Sequence, residues 1–99
     1  MQIMVNKDRA HKVYNSAPTI KAIAFDIKGH QVTLESFDYG TAMGWGADVR
    51  VRVSIDGNVI TPFHSLIFGV RRPDWLPADL TVKQWNTGLK PHLNILRAF

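Results

Sequence analysis

The stretch "ADVRVRVSIDGNVI", residues 47–60, decides the fold. Val49, Val51, Val53 and Ile55 alternate with Asp48, Arg50, Arg52 and Ser54. Side chains on a strand point to opposite faces in turn, so the pattern predicts a strand with one apolar, buried face and one polar face. Asp56-Gly57 then supplies the residues that tolerate positive φ, and the chain should fold back as a hairpin. A two-residue turn there sends Ile60 inward, whereas a three-residue loop sends Val59 and Phe63 inward; a shift of one residue flips the returning strand.

Upstream, "IKAIAFDIKGHQVTLESF", residues 20–37, repeats the logic. Ile23, Phe25 and Ile27 share a face, and a turn at Lys28-Gly29 would set Ile27 opposite His30, Phe25 opposite Val32 and Ile23 opposite Leu34. Asp26, Gln31, Thr33 and Glu35 fall on the other face. "FDIKGHQVTL" and "VSIDGNVITP" share Ile, Gly and Thr at matching offsets. Two copies with three identities are also what ordinary hairpin chemistry produces, so the similarity supports two hairpins more than a duplication.

Downstream, "RRPDWLPADL", residues 71–80, is a loop, because its two prolines cannot donate backbone hydrogen bonds and bias their predecessors toward extended conformations. A helix begins at "LTVKQW". Thr81 can cap it, Gln84 can reach back to complete a capping box, and Leu80 and Trp85 occupy the staple positions. Val82, Trp85, Leu89, His92, Leu93 and Leu96 then form one stripe about 100° wide. Gly88 and Pro91 oppose a helix, at about 1 and 3 kcal/mol. The stripe keeps its phase across Pro91, so a kink or a second helix start is expected there. Between the sheet and this loop, residues 63–70 carry an apolar run whose period does not separate strand from helix.

The first 18 residues hold Lys7, Arg9, His11 and Lys12 and end in a turn-rich "NSAP", which reads as a peripheral arm with one short helical turn. The whole is therefore a single α+β domain over 1–99: an arm (1–18), an antiparallel sheet of three to five strands built from two β-hairpins (19–70), a Pro-rich loop (71–80), and a C-terminal amphipathic helix (81–99) kinked near Pro91 that covers one face.

Composition limits the function classes. With 45% apolar and 20% charged residues among 99, the chain should fold. It has no cysteine, which removes disulfides, thiolate metal sites and a cysteine nucleophile and fits a reducing compartment. No signal-peptide pattern or membrane-length apolar run is visible, so a cytoplasmic protein without a membrane partner is expected. The net charge of +4 favours polyanionic partners.

Four features bear on chemistry. "GTAMGWG", residues 40–46, lacks the lysine and the following helix of a phosphate loop and should place Trp45 at a loop tip. Arg50 and Arg52 share the polar face of their strand, where guanidinium groups in a row can grip phosphates while Trp45 stacks on a base. Lys83, Lys90 and Arg97 recur every seven residues along the helix, about 10 Å apart, with no acid in that helix. Arg71, Arg72 and Trp75 combine the residue types of interface hot spots. His11, His30, His64 and His92 show no metal-ligand spacing; no metal, cofactor or catalytic set is expected.

Two functions compete. A binding module could contact RNA or single-stranded DNA through Arg50, Arg52, Lys83, Lys90, Arg97 and Trp45. An accessory or inhibitor protein could instead dock on a larger machine through Arg71, Arg72 and Trp75, with the Trp45 loop as a further anchor, its positive field speeding encounter with an acidic partner. An enzyme would need a polar pocket around His30 or His64. A homodimer is a further expectation, since an uncovered edge strand can be closed by a second copy.

Overall fold

A computed structural model describes the backbone of residues 7–60, 69 and 71–97, with side chains of 8–60, 69 and 71–93. The elements are α1 (Lys7–Ser16), β1 (Thr19–Ile27), β2 (His30–Asp38), α2 (Tyr39–Met43), β3 (Val49–Ile55), β4 (Asn58–Val59) and α3 (Val82–Arg97). The four strands form one antiparallel sheet in the order β1-β2-β3-β4, and α3 rests on β1 and β2.

Both hairpins close through two-residue turns of the same conformation. Lys28 and Asp56 have φ of 51°, and Gly29 and Gly57 have φ of 86°, the positive pair that matches the right-handed twist of the flanking strands. The Asp26 carboxylate accepts the Gly29 amide at 2.9 Å. The first hairpin has the expected register, with Ile27 opposite His30, Phe25 opposite Val32 and Ile23 opposite Leu34. In the second, Ile55 pairs with Asn58 and the Ile60 amide donates to the Val53 carbonyl at 2.9 Å. The two-residue turn therefore wins, and Ile60 enters the core. Phe63, His64 and the strand-or-helix question over 63–70 lie outside the described residues.

The main core lies between the sheet and α3. Ile27, Val32, Leu34, Val53 and Ile55 meet Leu80, Trp85, Leu89 and Leu93; each large side chain contributes on the order of 1.5–3 kcal/mol by leaving water. The capping box forms as the spacing requires: the Thr81 amide donates to Gln84 Oε1 at 2.9 Å and the Gln84 amide to Thr81 Oγ1 at 3.1 Å. Gly88 sits where helix and strand approach closely, and a Cβ there would lie 2.8 Å from the Ile27 side chain. His92 stacks on Phe25 with ring centroids 3.7 Å apart. Pro91 lies inside a single helix rather than starting a second one; its missing amide leaves the carbonyl of exposed Thr87 without a helical donor.

The N-terminal segment departs from the expectation of a peripheral arm. It forms a ten-residue helix whose Ala10, Val13 and Tyr14, with Ala17 just beyond its end, follow the i, i+3, i+4, i+7 spacing of a packing face. Ala10, Tyr14 and Ala17 are buried in a second cluster with Phe37, Tyr39 and Met43. Both faces of the sheet are thus covered in part: one by α3, the other by α1 near the end of β2.

Candidate functional site

The loop at 38–50 is a built object. Asp38 caps α2: its Oδ1 accepts the amides of Asp48 and Thr41, both at 3.0 Å, and its Oδ2 the Thr41 hydroxyl at 2.8 Å. These donors, the Asp48 amide first, hold the carboxyl below its ordinary pKa. Gly44, at φ 99°, ends α2 by donating to the Gly40 carbonyl at 2.9 Å, and Trp45 donates to the same carbonyl at 3.0 Å. Gly40 is buried, and a Cβ there would fall 2.1 Å from the Gly46 carbonyl oxygen. Only glycine permits that crossing. The expectation of a loop with Trp45 at its tip did not include α2; the capping pattern Asp38-x-x-Thr41 and the closing Gly44 are the signals for it.

This frame fixes Trp45 and Arg50 on either side of Tyr39. The Trp45 ring meets Tyr39 edge-on at 5.6 Å, and the Arg50 guanidinium lies 4.2 Å over the Tyr39 ring. Arg50 is also held by Asp48 Oδ2, through Nε at 3.0 Å and Nη2 at 2.9 Å. Tyr39 is buried beneath them, while Trp45 stays 38% exposed.

Arg52 corrects an expectation. Its strand face was expected to be open, but α1 covers it and leaves Arg52 only 6% exposed. Nη1 donates to the Tyr14 carbonyl at 3.0 Å, and Nη2 to Thr19 Oγ1 at 2.8 Å and Glu35 Oε2 at 3.2 Å. Thr19 in turn donates to Glu35. The Thr19 hydroxyl, then Arg52, draws the Glu35 carboxyl below its usual range. Burial raises the Tyr14 phenol, which donates to the Val51 carbonyl at 3.2 Å. Arg52 is a structural tie and offers no guanidinium edge to a phosphate.

Arg72, although exposed, is engaged by its own loop. Its guanidinium donates to the carbonyls of Leu76, Pro77 and Leu80, the first at 2.9 Å, and so organises a loop poor in amides. Trp75 packs edge-on against Trp85 with centroids 5.4 Å apart, joining the core margin. Of that trio only Arg71 combines exposure with no loop-bracing role among the described contacts. Lys83 and Lys90 are exposed on α3; the side chain of Arg97 lies outside the described residues.

Four large apolar residues are exposed among those described, and three lie at one end of the sheet. Ile20 (57%) opens β1, Val49 (56%) opens β3, and Trp45 tips the loop between β2 and β3. Pairing of Thr19 with Phe37, Phe37 with Arg50 and Asp38 with Val49 aligns these strand ends. Arg9 reaches the same loop, its guanidinium donating to the Ala42 carbonyl at 3.4 Å, so Arg9 and Arg50 balance Asp38 and Asp48.

At the opposite end, His30 bridges two carboxylates: Nδ1 to Asp56 Oδ2 at 2.7 Å and Nε2 to Asp79 Oδ1 at 2.8 Å. Both nitrogens are engaged, so neither is open to a substrate proton. A hollow of about 260 Å³ beside it is lined by Ile55, Asp56, Asn58, Val59, Ile60, Trp75 and Pro77. No three His, Asp or Glu among the described residues group to hold a metal ion, and no described helix is long and apolar enough to cross a membrane. Compared with protein-family models, curated proteins and solved structures, the chain matches none.

Proposed function

We propose that the chain is a protein-binding module, of the accessory or inhibitor type, which docks on a larger partner through the sheet end bearing Ile20, Trp45 and Val49. The supporting observation is that these three exposed apolar residues lie at one end of the sheet, beside a braced loop. A tryptophan, aliphatic side chains and a half-exposed arginine are residue types that interface centres use. Asp48 and Tyr39 already order Arg50, so less side-chain freedom is lost on binding. The net charge of +4 steers the molecule toward an acidic partner surface.

A nucleic-acid reading keeps one supporting feature, the exposed Lys83 and Lys90 on a helix without acids. The inward use of Arg52 and the pairing of Arg50 with Asp48 weaken it. Affinity capture with and without nuclease separates the two. Docking requires a protein partner retained after nuclease treatment and lost with Val49→Asp. Loss on nuclease treatment, with Val49→Asp indifferent, would instead favour nucleic acid bound through α3.

A further inference from the structure

β1 is an edge of the sheet, and its geometry is suited to a second copy of itself. Across a two-residue turn the flanking residues exchange both backbone hydrogen bonds, so Ile27, Phe25 and Ile23 bond inward to β2. The ladder of the next pair has the same phase: the Tyr39 amide donates to the Asp48 carbonyl at 2.9 Å and the Asp56 amide to the Gln31 carbonyl at 2.8 Å. It follows that the amides and carbonyls of Ala22, Ala24 and Asp26 point away from the sheet. Among the described residues no strand pairs with that edge. Ala22 and Ala24 are exposed and small, and they put no bulk in the way of an incoming strand.

We propose that two copies pair antiparallel through β1, about a two-fold axis at Ala24, into a continuous eight-stranded sheet. A two-fold normal to the sheet keeps both α3 helices on one side and preserves side-chain parity. In this register Ala24 faces its twin, and Ile23 of one copy faces Phe25 of the other. Ile23 and Phe25 are only partly buried at the core margin, so the pairing continues the core across the axis. Asp26 meets Ala22, away from any like charge. The irregularity between Thr19 and Lys21 ends the ladder on one side, and the Lys28-Gly29 turn ends it on the other.

The helices fit as well. Because α3 contacts both β1 and β2, its axis runs over the seam between them. The two seams of the dimer lie two strand spacings apart, roughly 10 Å, within the usual 8–10 Å of packed helices. Gly88 and His92 lie over β1. Continuing round the helix away from Trp85 and Leu89, the next residues are uncharged Gln84 and Pro91; Lys83 and Lys90 lie roughly 100° further. Among the described residues, Gln84, Gly88 and Pro91 on this flank are uncharged, while Lys83 meets Lys28 around a hollow at the turn end of β1, away from the axis at Ala24.

Solution mass across a dilution series tests the pairing. The wild type should show twice the mass of one chain at high concentration. Ala24→Asp, which sets two carboxylates opposite each other at the axis, should raise the dimer dissociation constant about fivefold or more. Its fold should persist because Ala24 is exposed. Ala24→Cys, the only thiol in the chain, should cross-link into a disulfide dimer under mild oxidation, whereas Ala78→Cys on the exposed Pro-rich loop should not. A wild type that stays monomeric up to about millimolar concentration, or a dimer indifferent to Ala24→Asp, overturns the proposal.

Discussion

Arg52 Nη1 donates to the Tyr14 backbone carbonyl at 3.0 Å, joining α1 to the middle of the sheet across 38 residues of chain. The same guanidinium binds Thr19 and Glu35. Removing it would leave the buried Tyr14 carbonyl without this donor and the partly buried Glu35 carboxylate without its counter-charge, held by Thr19 alone. Arg52→Ala should therefore cost about 3–5 kcal/mol, read as a lowered urea midpoint. Arg50→Ala, at a half-exposed pair, should cost no more than about 1 kcal/mol. Equal losses at the two positions would contradict the tie.

Gly40 offers a test of the loop's construction. An added Cβ meets backbone oxygen of Gly46, which has little room to move. Gly40→Ala should destabilise by about 1–3 kcal/mol or more and shift the Trp45 indole resonance in a proton–nitrogen correlation spectrum. An unchanged indole signal would mean that Trp45 is not held by this crossing.

Gly88 and Ile27 should be coupled. Gly88→Ala gains about 1 kcal/mol of helix propensity but collides with Ile27, 2.8 Å away, so the single change should destabilise. In an Ile27→Ala background the collision is gone, and the same substitution should become stabilising. The coupling, within the 0.5–3 kcal/mol range of contacting residues, is measured by a double-mutant cycle in denaturant.

His30 makes stability depend on pH. Hydrogen bonds to the carboxylates of Asp56 and then Asp79 raise its folded pKa, with their negative charges adding to the effect. A raised folded pKa stabilises below the unfolded value, about 6.5, and that contribution fades as pH climbs through the folded value. The lowered Asp56 and Asp79 behave oppositely, losing their contribution as pH falls through the acidic range. Lys28 Nζ also donates to the Asp79 carbonyl at 3.0 Å. Thermal melts should show stability declining from mildly acidic toward alkaline pH, and His30→Gln should flatten that decline.

Local chemistry made much of the fold legible. Turn residues at Lys28-Gly29 and Asp56-Gly57, the Thr81–Gln84 box and the alternating valines each act within a few residues, and each element formed, although Val49 is exposed at the start of β3 and Arg52 and Ser54 on its other face are buried. What depended on a distant partner did not. Charges around Ala10, Val13, Tyr14 and Ala17 hid a helical spacing that packs. Whether Arg52 faced water rested on where α1 docks, which no pattern within β3 can report. Trp45 was readable as a loop tip, but its grouping with Ile20 and Val49 follows only from strand register.

The docking account is tested most directly by partner affinity. With the captured protein in hand, Trp45→Ala or Val49→Asp should weaken binding by about 2 kcal/mol or more, roughly 30-fold, as at an interface centre. Lys83→Ala and Lys90→Ala should change it less than about threefold at physiological salt. The reverse order, with large losses at the lysines and none at Trp45 or Val49, would contradict the account.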